Sequence, residues 1–253
     1  MYNSRKNVFN HNQINIIYMK ALCKYKIKTN ENKETTHTQI PAIKEGVYGG
    51  KYHIPEEDKE AFFDIYHNKC FVAKIPTHLT EKHSPKYSSV LIDIDLRFNK
   101  DSELTRRYTY DDIATIVSKY TLYLSEYLEL TDEQKKGFIF EKTGPIKANN
   151  IIKDGIHIIF PYISASYPIQ YIIRNKVMND PEIIDLFKSM NTTNAIDDII
   201  DKCVIEKNNW LMHGSCKPDK ESYKLTNIYS FDNDEEYDEH NIDDYTDREL
   251  ISI

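Results

Sequence analysis

The clearest alternation of apolar and polar positions lies between residues 88 and 205. Val90-Leu91-Ile92-Asp93-Ile94-Asp95 is a β-branched run that predicts a strand. Thr109 and Asp112 have capping-box spacing. They open a helix whose apolar positions, Ile113, Ile116, Val117, Tyr120, Leu124 and Leu128, recur at helical spacing. A second strand is expected over Phe138–Lys142, before a Gly-Pro turn. A third is expected over Gly155–Phe160, stopped by Pro161. Asp180 as N-cap and Pro181 at the first helical position start another helix, with Ile183, Ile184 and Phe187 on its apolar face. A fourth strand is expected over Ile199–Ile205.

The order β-α-β-β-α-β predicts an α+β, ferredoxin-like unit of the kind RNA-recognition modules also use. Its first and third strands are central neighbours, its fourth flanks the first, and both helices cover one face. Upstream, residues 1–35 read as a lead-in, helical over Gln13–Cys23. Residues 36–87 read as an N-terminal α/β unit, with a turn at Gly49-Gly50. A helix opens there at Ile54-Pro55-Glu56-Glu57 and carries Phe62, Phe63, Ile65 and Tyr66. The expected division is therefore one domain over 36–230, split at 87/88, followed by an acidic tail or linker over 231–253.

Composition narrows the class. Of the 253 residues 40% are hydrophobic and 29% charged, as in a soluble globular protein. No apolar run reaches membrane-spanning length and the N-terminus lacks a signal-peptide apolar region, so neither a membrane nor secretion is expected. Cys23, Cys70, Cys203 and Cys216 have no zinc-knuckle or redox spacing. Ten acids against one base between Asp232 and Glu249 give that stretch −9 of a total of −7, so the rest carries +2. A near-neutral body neither forbids nor announces a nucleic-acid partner.

Side chains alternate across a strand, so Asp93 and Asp95 share one face while Ile92 and Ile94 take the other. An isolated Asp-x-Asp is commonly a solvated sheet edge. Here the expected strand order brings His157, Gly155 and Asp201 to the same face. Acids gathered in this way repel one another without a cation between them, and hard oxygen donors suit Mg²⁺ or Mn²⁺. Lys153, at the entrance to the third strand, is a candidate phosphate contact, though single lysines are usually just solvated. In Trp210-Leu211-Met212-His213-Gly214-Ser215-Cys216-Lys217-Pro218, backbone N–H groups of the turn and Lys217 are candidates to hold phosphate oxygens. Alone, that segment reads as an ordinary turn.

These residues, in this order, resemble the archaeo-eukaryotic primase superfamily. Its first motif, hhhDhD or hhhDhE on a strand, is matched by Leu91-Ile92-Asp93-Ile94-Asp95. Its Ser-x-His is seen as Gly155-Ile156-His157, with glycine replacing serine. Its third acid fits Asp201 in Ile199-Ile200-Asp201. Lys153-Asp154-Gly155-Ile156-His157-Ile158-Ile159-Phe160-Pro161 and the Trp210–Pro218 segment look like the primase domain of primase-helicases from large nucleocytoplasmic DNA viruses. Thr36-His37-Thr38 and Gly49-Gly50-Lys51-Tyr52 are similar to that group's N-terminal segment.

The resemblance implies a DNA primase that builds primers on a single-stranded DNA template from NTPs or dNTPs, in viral DNA replication. That would take place in a cytoplasmic viral factory or the host nucleus. It implies two Mg²⁺ or Mn²⁺ ions held by Asp93, Asp95 and Asp201. His157 would contact a phosphate of the nucleotide. Lys153, Lys217 and the backbone of Gly155 would complete the nucleotide site. The resemblance also implies a helicase, fused or recruited, since larger chains of the family usually continue into one; this chain has no GxxxxGK[ST] loop. Two other readings stay open at this point: a metal-dependent nuclease, and a non-catalytic nucleic-acid-binding module. The second would want aromatic side chains where this chain carries acids.

Overall fold

A computed structural model describes residues 10–84, 86–231 and 237–253. In chain order the strands are β1 (His37–Gln39), β2 (Gly50–Tyr52), β3 (Leu79–Glu81), β4 (Tyr87–Asn99), β5 (Gly137–Glu141), β6 (Ile146–Ala148), β7 (Ile151–Ser166), β8 (Trp210–Leu211), β9 (Lys224–Phe231) and β10 (Tyr237–Glu239). The helices are α1 (His11–Lys24), α2 (Glu56–His67), α3 (Tyr110–Ser125), α4 (Tyr167–Asn179), α5 (Pro181–Ser189), α6 (Ile196–Ile199), α7 (Cys203–Glu206) and α8 (Asp247–Leu250). Among the described residues no helix is long and apolar enough to cross a membrane.

Two compact units result. The first takes the described residues up to Lys82, together with Asn209–Ser222 and Tyr245–Ile253. Its antiparallel sheet runs β2-β1-β3-β8. Asn10 and Gln13 close a capping box on α1. Acids Glu56, Glu57 and Asp58 sit in the first turn of α2, where the helix dipole favours negative charge. Tyr18 and Leu22 from α1, Phe62, Phe63 and Tyr66 from α2, and Ile54, Leu79, Met212 and Ile251 form the core.

The second unit takes His83–Asn208 and Tyr223–Asp244. Its sheet runs β10-β9-β5-β7-β4, with β6 hairpinned onto β7. Val90, Ile92, Ile94, Leu96 and Phe98 of β4 join Ile152, Ile156, Ile158 and Phe160 of β7 on one face. They pack against Ile113, Ile116, Val117, Tyr120 and Leu124 of α3, Ile173 and Val177 of α4, and Ile183 and Phe187 of α5. The Thr109/Asp112 capping box and the Asp180 N-cap form as the sequence predicts. The architecture is the expected mixed α/β one, with β4 and β7 as paired neighbours.

Four expectations need correction. Pro161 does not stop the third strand, which continues to Ser166. Val90 pairs with Phe160 but Ser89 pairs with Ser164, so Pro161 falls in a bulge where no ladder N–H is required. The strand over Ile199–Ile205 does not form. It reduces to a single bridge, Ile200 to Ile94, between the short helices α6 and α7. Pieces of chain satisfy the edge of β4 instead: the Thr193 N–H donates to Arg97 O at 2.8 Å, the Asn194 amide to Asp95 O at 2.8 Å, and the Asp201 N–H to Asp93 O at 2.9 Å.

The domain boundary at 87/88 also changes. Residues 209–222 return to the first unit, where β8 pairs with β3 and the Ser215 hydroxyl accepts from the Leu79 N–H at 3.0 Å. The lead-in helix belongs to that unit too, while residues 1–9 lie outside the described ones. Finally, residues 237–253 are not a loose tail. Residues 232–236 lie outside the described residues, but β10 pairs with β9, and Leu250 and Ile251 are buried. Glu249 caps α8 through Thr246, and Arg248 joins Glu60 and Asp64 at 2.6 Å each. Glu239, Asp247 and Glu249 of this stretch thus have local partners.

His37 supplies a test of the first unit. Its ring is fully buried and Nε2 has no hydrogen-bond partner. Burial lowers its pKa from the usual 6.5 to about 3. Between those values the unfolded chain binds the extra proton and the folded chain does not, so stability falls as pH drops from 6.5 toward 3. His37→Phe should remove part of that slope. Relative to wild type it should gain on the order of 2 kcal/mol at pH 4.5 compared with pH 7.5, read by urea melts at both values. An identical pH slope in both proteins would count against a neutral buried His37.

Candidate active site

Side-chain alternation along β4 puts Asp93, Asp95 and Arg97 on the sheet face opposite the helices. Antiparallel register then sets their partners on β7: Asp93 opposite His157, Asp95 opposite Gly155, and Arg97 opposite Lys153. This face therefore carries carboxylates at one end of the ladder and two cations at the other. Such a gradient suits a divalent cation next to a polyphosphate.

Each group has defined company. His157 Nε2 lies 3.6 Å from Asp93 Oδ1, with the imidazole 12% and the carboxylate 26% exposed. Arg97 donates to one oxygen of Asp95, from Nη2 at 2.8 Å and Nε at 3.1 Å. That contact raises the guanidinium pKa, and Asp198 and Asp201 add to it. Arg97 thus supplies positive charge to the acids.

Asp201 reaches the site without a strand. Arg174 on α4, itself buried, donates from Nε to Ile200 O at 2.8 Å and pairs with Asp197 at 3.0 Å, pinning the loop. The Asp201 N–H then donates to the Asp93 carbonyl, while Asp201 Oδ1 accepts from the Cys203 N–H at 2.8 Å, just ahead of α7. The three acids have three different protein partners. Among the described residues they do not close into a cluster with metal-holding geometry. The donor set itself, half-exposed carboxylate oxygens on adjacent segments, fits Mg²⁺ or Mn²⁺.

Gly155 is required by close approach. A Cβ built there would lie 2.8 Å from Ile94 O and 3.3 Å from Tyr223 Oη. Its N–H donates to Asp154 Oδ1 at 2.9 Å. That use removes the backbone donor expected to face a nucleotide. Asp154 points to the opposite face, into a buried network. There Arg106 contacts Glu141 at 2.8 Å and Asp154 at 3.3 Å, and Tyr108 donates to Glu141 at 2.8 Å. Burial pushes the Asp154 carboxyl up, and Arg106 opposes it.

The turn around Gly214 lies in the first unit, and the β4/β7 ladder in the second. The Ser215 N–H donates to Met212 O at 2.8 Å and the Cys216 N–H to Thr77 O at 3.0 Å. Those two donors are thus engaged within their own unit. Lys217 is exposed on the same turn. Two residues escaped the sequence reading. Arg97 had a signal, being in phase with Asp93 and Asp95. Tyr223 had none: it arrives just before β9 and stacks on His157 with ring centroids 3.6 Å apart and planes 18° apart.

A family described as the C962R protein N-terminal AEP domain matches residues 45–229. The chain belongs to that family of archaeo-eukaryotic primase domains. Residues 45–229 contain all of β4 and β7, so this primase domain's matched region includes the Asp93–His157 ladder. The chain is also 30% identical over 198 residues to a protein of Acanthamoeba polyphaga mimivirus named "Putative helicase L207/L206". The aligned stretch covers 78% of this chain and 20% of that protein, so the primase domain spans about a fifth of the length of the curated relative it matches. Membership in the superfamily supports an enzyme that acts on nucleic acid.

Gly155→Ala tests the close approach. The added methyl must move the Ile94 carbonyl, so the variant should lose about 1–3 kcal/mol of stability, read as a lower thermal midpoint. A midpoint equal to that of the wild type would contradict the packing described for Gly155.

Proposed function

We propose that the domain is a template-directed nucleotidyltransferase that synthesises primers on single-stranded DNA from nucleoside triphosphates. One observation carries the reading: Asp93 and Asp95 stand in register with His157 and Gly155 on a half-exposed sheet face. Family membership supports that face as the place for the chemistry.

In this proposal Asp93, Asp95 and Asp201 hold two Mg²⁺ or Mn²⁺ ions. Those ions, when bound, supply Lewis acidity toward the primer 3′-hydroxyl and neutralise the departing pyrophosphate. The chain's own groups do the rest. His157, fixed opposite Asp93, donates to a phosphate oxygen of the incoming nucleotide and stabilises charge developing there. Lys153 and Arg97, side by side at the cationic end of the ladder, hold the outer phosphates. Arg97 does so in a planar fork and Lys153 as a point charge. Arg97 is held by Asp95, and would be free to turn toward the triphosphate where Asp95 serves as a metal ligand. Template DNA, a helicase partner and a place in viral DNA replication belong to the same proposal. The mimivirus relative's printed name, a helicase, supports the helicase pairing.

The assay uses the purified chain, single-stranded DNA, labelled NTPs or dNTPs, and Mg²⁺ or Mn²⁺. De novo short products are expected. Asp93→Ala and Asp95→Ala should each lower synthesis by 10²-fold or more, on the order of 3 kcal/mol in the barrier, with unchanged circular dichroism. Full activity in either variant would overturn the metal assignment. Degradation of DNA with metal alone, and no synthesis, would instead make the domain a nuclease.

A further inference from the structure

We propose that Tyr223 is a positioning residue of the nucleotide site: its ring fixes the His157 imidazole against Asp93, and its hydroxyl, seated over Gly155, offers a triphosphate oxygen the donor that β7 lacks at position 155. This rests on the primer-synthesis reading for the identity of the ligand. The contact with His157 does not depend on it.

Backbone geometry delivers Tyr223 to this place. Lys224 pairs with Glu141 and Leu225 with Phe140, while Phe140 pairs with His157. The residue just before β9 therefore lies beside the end of β5 and reaches across to β7. Its ring then covers one face of the imidazole at 3.6 Å, and the Lys142 ammonium sits 4.4 Å from the same ring. A stacked face of this kind removes most of the freedom of the His157 ring about its last side-chain bond, leaving the Nε2 edge toward Asp93. Burial and the charges of Asp93, Asp95 and Asp154 raise the Tyr223 pKa, so its oxygen keeps its proton and remains a donor.

Residues 155 and 223 share one space. Tyr223 Oη lies 3.3 Å from the point a Cβ on residue 155 would occupy, and that Cβ would also meet Ile94 O at 2.8 Å. A side chain on β7 is thus excluded, and the hydroxyl that occupies the space comes from β9's leading residue. Glycine at 155 and tyrosine at 223 form one device. The Gly155 N–H is committed to Asp154, so it cannot supply the missing donor.

Two variants separate the parts. Tyr223→Phe keeps the ring and removes the hydroxyl, and Tyr223→Leu removes both. The first readout is the carbon-bound imidazole protons of His157 in the full chain, measured by two-dimensional NMR without nucleotide. The wild type should show them shifted upfield by the facing ring. Tyr223→Phe should retain that shift and Tyr223→Leu should lose it. The second readout is calorimetric affinity for ATP or dATP with Mg²⁺, which Tyr223→Phe should weaken roughly 10- to 100-fold, the size expected for one hydrogen bond to a charged acceptor. His157 shifts unchanged in Tyr223→Leu would overturn the positioning role. Wild-type affinity in Tyr223→Phe would overturn the hydroxyl's role. If the wild type makes no primers, the function proposed above fails, while the imidazole shifts still decide the contact.

Discussion

Every feature of the candidate site depends on the register between β4 and β7. A strand has a side-chain period of two, so a slip of one residue would send Asp93 and Asp95 into the helical core and bring Ile92 and Ile94 to the surface. Thirteen paired positions hold the register, with one shift at Ser89/Val90. The apolar face enforces it, because Ile92, Ile94, Ile156 and Ile158 are all but inaccessible to solvent. Burying each of those side chains is worth about 1.5–3 kcal/mol, whereas burying an unpaired carboxylate in their place would cost several. The core thus fixes the position of the polar ladder.

That ladder explains how adjacent acids persist in one folded state. Asp95 has Arg97, Asp93 has His157 at its side, and Asp201 accepts from the Cys203 N–H. The half-exposed Arg97–Asp95 ion pair contributes little to stability, about 0–1 kcal/mol. It neutralises Asp95 and can be exchanged for a harder cation. The Arg106–Glu141–Asp154 network on the other face is different in kind, because Glu141 and Asp154 are almost completely buried there. It ties the ends of β5 and β7 together behind Gly155 and leaves the front face to the ligand.

Sequence reading reached the elements whose signals are local. The apolar run around Asp93, the Thr109 capping box, the Asp180-Pro181 start and the helix carrying Phe62 all depend on neighbours within a turn or two. The pairing of the first and third strands was also legible, since both place isoleucines in phase with polar residues. The strand over Ile199–Ile205 misled because its apolar residues serve two faces of a loop held by Arg174, a partner 26 residues away. Pro161 misled because a bulge depends on the neighbouring strand. The return of residues 209–222 to the first unit, and the arrival of Tyr223 over His157, are set by pairing to β3 and β5. No local pattern carries that information. At position 155 the family pattern predicts serine, and only the distance to Ile94 O shows why this chain has glycine.

The proposed function has Asp93, Asp95 and Asp201 hold two divalent cations on the β4/β7 face. Paramagnetic Mn²⁺, titrated at substoichiometric amounts into labelled protein, reads it most directly. Resonances of residues 93–95, 155–157 and 201 should broaden first and together, ahead of the acid-rich segment 237–249, which serves as an internal control. Broadening that begins in 237–249, or that spares residues 93–95 and 201, would contradict the account.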